Sequence, residues 1–140
     1  MATLLALAIT TAQTAQVGSV FQLVDLANRS RNLCVQANFT YGSGGTSADA
    51  WLQTSLDGGT NWCDVANFHF TTASARKLFN LSSLTPITTQ ATPSDGALAS
   101  NTAVDGLFGT KWRVKYTTVG TYAGGTTLAI DATTLRLVSP

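Results

Sequence analysis

In the stretch NLCVQANFTY, residues 32–41, apolar and polar residues alternate, so that Leu33, Val35, Ala37 and Phe39 share one side of an extended chain. A period of two is the spacing of a half-buried strand; the apolar residues of a helix return every three to four positions instead. The same alternation recurs in KWRVKYTT, where Trp112, Val114 and Tyr116 oppose Arg113 and Lys115, and again in TLAIDATTLRLV. Composition points the same way. The chain has no Glu and a single Met, Thr is its commonest residue, and twelve glycines are scattered through it. Such an inventory is poor in straight-chain helix formers and rich in residues that favour strands and turns.

Strand candidates fall at 3–11, 17–27, 32–41, 49–56, 61–71, 76–82, 110–118 and 126–138, the last with a bulge near Asp131. About eight strands with no helical segment predict an all-β chain, an antiparallel two-sheet β-sandwich of jelly-roll or immunoglobulin-like type. A length of 140 residues suits one domain spanning 1–140, since a chain of this size buries about two thirds of its unfolded surface. The opening MATLLALAITTAQTAQ carries no Lys or Arg ahead of its short apolar run, and Leu5, Leu7 and Ile9 alternate. It therefore reads as a strand rather than a secretory signal.

Charged residues make up 11% of the chain and sum to +1, against about 25% charged residues in an ordinary soluble domain. That balance argues against a broad basic surface for nucleic acid. No stretch approaches the roughly 18 apolar residues of a membrane span. Neither nucleic acid nor membrane is therefore an expected partner. Solubility must rest on Thr, Ser, Asn and Gln, or on partner proteins covering the surface.

One segment departs from the strand pattern. SLTPITTQATPSDGALASNTAVDGLFG, centred on residues 84–109, holds two prolines, a Ser-Asp-Gly and a Val-Asp-Gly. Irregular segments longer than about 12–15 residues are usually functional, covered or disordered. Two readings follow. The segment is either the surface crossover of a Greek key or an arm lying along a neighbouring subunit, with Ile87, Leu98, Val104, Leu107 and Phe108 as its interface candidates.

The stretch SLDGGTNW, Ser55 to Trp62, resembles the Asp-box of sialidases, S-x-D-x-G-x-T-W, with Asn61 where that pattern has Thr. The resemblance implies a structural hairpin staple, because in sialidases the motif repeats on propeller blades away from the catalytic groups. One copy on a chain this short cannot build a propeller. The residue types agree with a turn: Ser55 and Asp57 as side-chain caps, Gly58 and Gly59 for positive φ, and Trp62 packed beneath. A glycan partner is accordingly the lesser expectation.

No catalytic constellation stands out. His69 is the single histidine, in NFHFTT, and no G-x-S-x-G elbow accompanies it. One His, two separated cysteines and dispersed Asp residues give no metal-ligand spacing, and there is no phosphate-binding loop or dinucleotide fingerprint. We therefore expect no cofactor and no enzymatic activity. Cys34 and Cys63 fall in different strand candidates, which leaves free thiols, an intrachain disulfide and intersubunit bridges all open. The basic residues cluster as Arg29 and Arg31, Arg76 and Lys77, and Lys111, Arg113 and Lys115. Strand alternation turns Arg113 and Lys115 outward, to solvent or to a partner.

Two stretches, WLQTSLDGGTNWCDVANFHFTTASARKLFNLS and WRVKYTTVGTYAGGTTLAIDA, give the chain a wider likeness across about residues 49–132. It resembles the small structural proteins encoded in the head and tail gene clusters of tailed bacteriophages and prophages. That likeness implies a virion component on a β-sandwich, assembled in the cytoplasm of a bacterial host. The expected role is capsid decoration or cement, bound to the major capsid protein and to copies of itself. A tail, neck or tail-tube component is the alternative of the same class, and a carbohydrate-binding β-sandwich for host attachment the alternative of another. Such proteins have no active-site motif, so no residue roles carry over.

Overall fold

The computed structural model describes residues 2–22 and 32–133. Among them run eleven strands: β1 (Ala2–Ala8), β2 (Gln13–Val17), β3 (Phe21–Gln22), β4 (Asn32–Thr40), β5 (Ser43–Gly44), β6 (Ser47–Ser55), β7 (Cys63–Phe70), β8 (Ala75–Ser82), β9 (Lys111–Val119), β10 (Tyr122–Ala123) and β11 (Thr127–Ala132). They form a four-stranded sheet, β1-β11-β4-β8, and a five-stranded sheet, β2-β9-β6-β7 with β3 also on β9; β5 and β10 make a two-stranded ribbon. All pairings are antiparallel. The fold is all-β and sandwich-like, as the alternation predicts.

The count of eight strands is corrected to eleven, in three sheets rather than two. The candidate at 17–27 begins earlier than expected and divides into β2 and β3 around Gly18, whose N–H donates to the Val114 carbonyl at 2.8 Å. The extra ribbon comes from two Gly-rich turns that sequence reading takes as loops. Gly45, at φ +68°, lies flat against the Tyr122 ring, where a Cβ would fall 2.3 Å from the ring carbons. The bulge expected near Asp131 lies opposite it, on β1 between Thr3 and Leu5. The ends of the candidates at 17–27 and 126–138, together with Arg29 and Arg31, lie outside the described residues.

Between the two larger sheets the alternating residues meet. Leu33, Val35, Ala37 and Phe39 of β4 are buried, as are Trp112 and Val114 of β9 and Leu52 and Phe68 of the β6–β7 pair. At one end Phe39 stacks on Phe70 with centroids 4.9 Å apart and meets Tyr122 edge-on at 5.9 Å. The Tyr122 hydroxyl donates to the Thr71 carbonyl at 2.8 Å, so its polar end is satisfied where its ring is buried.

Candidate functional site

The turn between β6 and β7 is held by its own side chains. Asp57 Oδ1 accepts from the backbone N–H of Thr60 and Asn61 at 3.1 and 2.8 Å, and from the Ser55 hydroxyl at 2.9 Å. Ser55 Oγ in turn accepts from Gly59 N–H at 2.8 Å. Asn61, the departure from the Asp-box pattern, donates its side-chain amide to Asp57 Oδ2 at 2.6 Å. These donors, led by the Asn61 backbone and side chain and then Ser55, hold the exposed Asp57 carboxyl down at about 2. Gly58 and Gly59 take φ of +76° and +101°. Trp62 donates its indole N–H to the Gly59 carbonyl at 3.1 Å, and the Arg113 guanidinium lies 4.3 Å over its ring. Ser55, Asp57, Gly58, Gly59 and Trp62 thus come together as one hairpin staple.

On the outward face of the five-stranded sheet, cross-strand register sets three polar rows: Asp64–Gln53–Arg113, Asn67–Trp51–Lys115 and His69–Asp49–Thr117. Asp64 and Asn67 are three positions apart, yet they share a face because β7 carries an extra residue between them. The β6–β7 register shifts at Leu52/Gln53. Polar residues on an outward face ordinarily meet water. Here Gln53 and Asn67 are fully buried and Asp64 is 2% exposed.

The long segment buries them. Asp64 accepts from Ser94 Oγ at 2.8 Å and from the backbone N–H groups of Gly96, Ala97 and Leu98 at 2.9, 2.9 and 3.1 Å, while Gln53 donates to its Oδ1 at 2.8 Å. The Gln53 amide also donates to Asp95 at 2.6 Å, and its carbonyl accepts from Arg113 Nε at 2.8 Å. Asp95 pairs with Lys115 at 2.9 Å, a hydrogen bond that holds its carboxyl below the usual carboxylate range, and Arg113 stands at 3.8 Å. The Trp51 indole donates to the Leu98 carbonyl at 3.0 Å. Farther along, Asn101 N–H donates to Asn67 Oδ1 at 2.9 Å, and Asn101 Oδ1 accepts from the His69 backbone at 3.1 Å and from Lys77 at 2.9 Å.

Backbone bonds complete the cover. Asp64 N–H reaches the Ser94 carbonyl at 2.8 Å, Val104 N–H the Val65 carbonyl at 2.8 Å, and Asn67 N–H the Thr102 carbonyl at 2.9 Å. The outer edge of β7 would otherwise be a template for pairing with another chain, and the segment occupies it. Among the described residues no buried side-chain N or O lacks a partner. The expected interface residues are thereby placed. Leu107 and Phe108 pack on the chain's own core, Leu98 and Val104 of the segment are half-buried, and Ile87 is exposed. Arg113 and Lys115 do face outward, but into the segment. Residues 94–104 make these bonds with β6 and β7 of the same chain, where Asp64 and the β7 edge offer the matching donors and acceptors.

A hollow of about 210 Å³ remains between the segment and the start of β7, lined by Leu56, Cys63, Leu98, Val104 and Leu107 among others. Burial, reinforced by Asp57, Asp64 and Asp95, pushes the Cys63 thiol up, which is the reverse of nucleophile activation. Cys34 is exposed on the four-stranded sheet; both cysteines are free and stand on different sheets, so the intrachain bridge is not formed. His69 Nδ1 lies 2.9 Å from Asp49 Oδ1. Among the described residues no three His, Cys, Asp or Glu side chains group to hold a metal ion.

Sequence reasoning did not single out Asp64, Gln53, Asn67, Asp95 or Asn101. Ser-Asp-Gly was legible as a turn; that it docks on a buried carboxylate was not. Neither the protein-family models nor the curated proteins compared with this chain contain a match to it.

Proposed function

We propose that this protein is a non-enzymatic structural component of a bacteriophage virion, most simply a decoration or cement protein bound in many copies to the major capsid protein. The observation that carries the reading is the strand order. Taking β1, β2, β4, β6, β7, β8, β9 and β11 as first to eighth, the sheets run first-eighth-third-sixth and second-seventh-fourth-fifth. We read this order as a jelly-roll of two Greek keys, an architecture used by viral capsid and lectin domains. The argument is one of fold analogy, joined to the likeness across residues 49–132.

Two further features support an assembly role. Asp64, Gln53 and Asn67 on one outward face are buried and hydrogen-bonded by residues 94–104 rather than left open to a ligand. The opposite outward face carries few charges among the described residues, the kind of surface another protein can cover without desolvating many of them. Lectin-type binding shares the jelly-roll order, but among the described residues the large apolar side chains exposed are the aliphatic Val17, Leu56, Leu78, Leu84, Ile87 and Val119. These offer no ring for stacking on a sugar.

The test is to add purified protein to capsids of the host particle that lack it, sediment them, and count bound chains. Binding in a fixed ratio to capsid protein is expected. Binding only to tails, or only to immobilised glycans, would replace the decoration role by one of its alternatives.

A further inference from the structure

The outward face of the four-stranded sheet is built from alternate residues of β1, β11, β4 and β8, and nothing among the described residues covers it. Its middle rows are set by register: Leu78–Gln36–Asp131 and Arg76–Asn38–Ala129. Arg76 and Asp131 are its two charged members among the described residues. Leu78 stands 54% exposed beside a shallow hollow of about 150 Å³ lined by Cys34, Gln36, Asp131, Ala132 and Thr133 as well as Leu78 itself.

These features complement themselves. Arg76 and Asp131 flank β4 on opposite sides and one row apart, so a two-fold axis lying in the plane of the face and crossing β4 between Gln36 and Asn38 exchanges their positions. The same rotation carries Leu78 to the Cys34 side of Gln36, where the hollow lies. We propose that a second copy of this chain docks face to face on this sheet, each Leu78 entering the other's hollow and each Arg76 facing the other's Asp131. A like-for-like contact of this kind is the isologous interface of a two-fold dimer.

The face also sets the strength. Four strands at about 4.8 Å spacing and some seven residues at about 3.3 Å give roughly 400–450 Å² per copy, about 900 Å² in total. That falls at the weak, transient end of specific interfaces. Pairs therefore form only at high concentration in solution, and multiply in strength where copies are already held side by side. The inference rests on reading the chain as a multi-copy structural protein, and names the surface by which copies meet.

Sedimentation velocity from about 10 µM to 1 mM tests it directly. The wild-type protein should shift from monomer towards dimer. Arg76→Asp or Asp131→Arg alone should weaken association at least tenfold, and the two together should restore it. Leu78→Ser, which alters an exposed side chain only, should abolish it. Cys34, at the rim of the hollow, should lose reactivity towards a thiol reagent as wild-type concentration rises. A monomer throughout, a dimer indifferent to these changes, or no rescue in the charge-swapped variant would overturn the proposal. Wild type that decorates particles yet stays monomeric sinks this inference alone; a dimer that binds no particle leaves it standing and sinks the virion reading.

Discussion

Asp64→Ala should be the most damaging single change at the covered face. The carboxylate is 2% exposed and faces the Gln53 amide, the Ser94 hydroxyl and three backbone N–H groups. A hydrogen bond to a charged acceptor contributes about 1.5–3 kcal/mol net, and a donor left buried without a partner costs a further 1–3. Five such terms do not add, because Ser94, Gly96, Ala97 and Leu98 belong to one stretch that can lift off and rehydrate together. Gln53 cannot leave with them, and Asp95, its second acceptor, lifts with the same stretch, so its amide must find water in the opened face. What remains is the disruption of one buried polar network, about 3–5 kcal/mol. At roughly 3–4 °C per kcal/mol for a domain of this size, the midpoint of thermal unfolding should fall by about 10–20 °C. Asp64→Asn should recover little, since its amide N–H₂ would point at groups that are themselves donors. Urea and thermal unfolding give the stability, and hydrogen exchange gives its location, with Gly96, Ala97 and Leu98 losing protection first. A loss below about 1 kcal/mol, or unchanged protection at those three amides, would refute the anchoring role.

The turn and the thiols make two further predictions. Gly58→Val meets no atom within 4 Å of its new Cβ, so its cost comes from holding a branched residue at φ +76°. That should be roughly 1–2 kcal/mol, seen as a lower melting temperature; equal stability would mean that the turn does not depend on this φ. Thiol titration of reduced protein should give two phases, Cys34 reacting fast and Cys63 slowly until the pH is made alkaline, because burial and the charges of Asp57, Asp64 and Asp95 oppose its thiolate. A single fast phase, or quantitative bridging in freshly purified protein, contradicts that assignment.

The legible parts of this protein are those encoded over short distances. Leu33, Val35, Ala37 and Phe39 are all at most 2% exposed, as their alternation demands. The Ser55–Trp62 turn is also held by side-chain hydrogen bonds that span no more than four positions. Asp64 was not legible, although it lies close to Asp57 in sequence. Its partners Ser94 to Leu98 are 30 to 34 positions away, and it meets them on the face that it shares with Asn67 only through the β7 bulge. Likewise, residues 84–109 carry clear turn signals, but those signals are compatible with an arm as well as with a cover.

The amino-acid sequence by itself determined that the chain is all-β, which side of β4 and β9 faces inward, and how the β6–β7 hairpin turns. Each of these follows from neighbouring residues, through a period of two, glycine's access to positive φ, and side-chain capping. Only the tertiary structure decided that residues 94–104 cover Asp64, Gln53 and Asn67 on one outward face, that Cys34 and Cys63 stand on different sheets, and that Arg76, Leu78 and Asp131 share the other face. Those outcomes depend on strand order and register, because a buried carboxylate or an open sheet face acquires its surroundings from strands far apart in the chain.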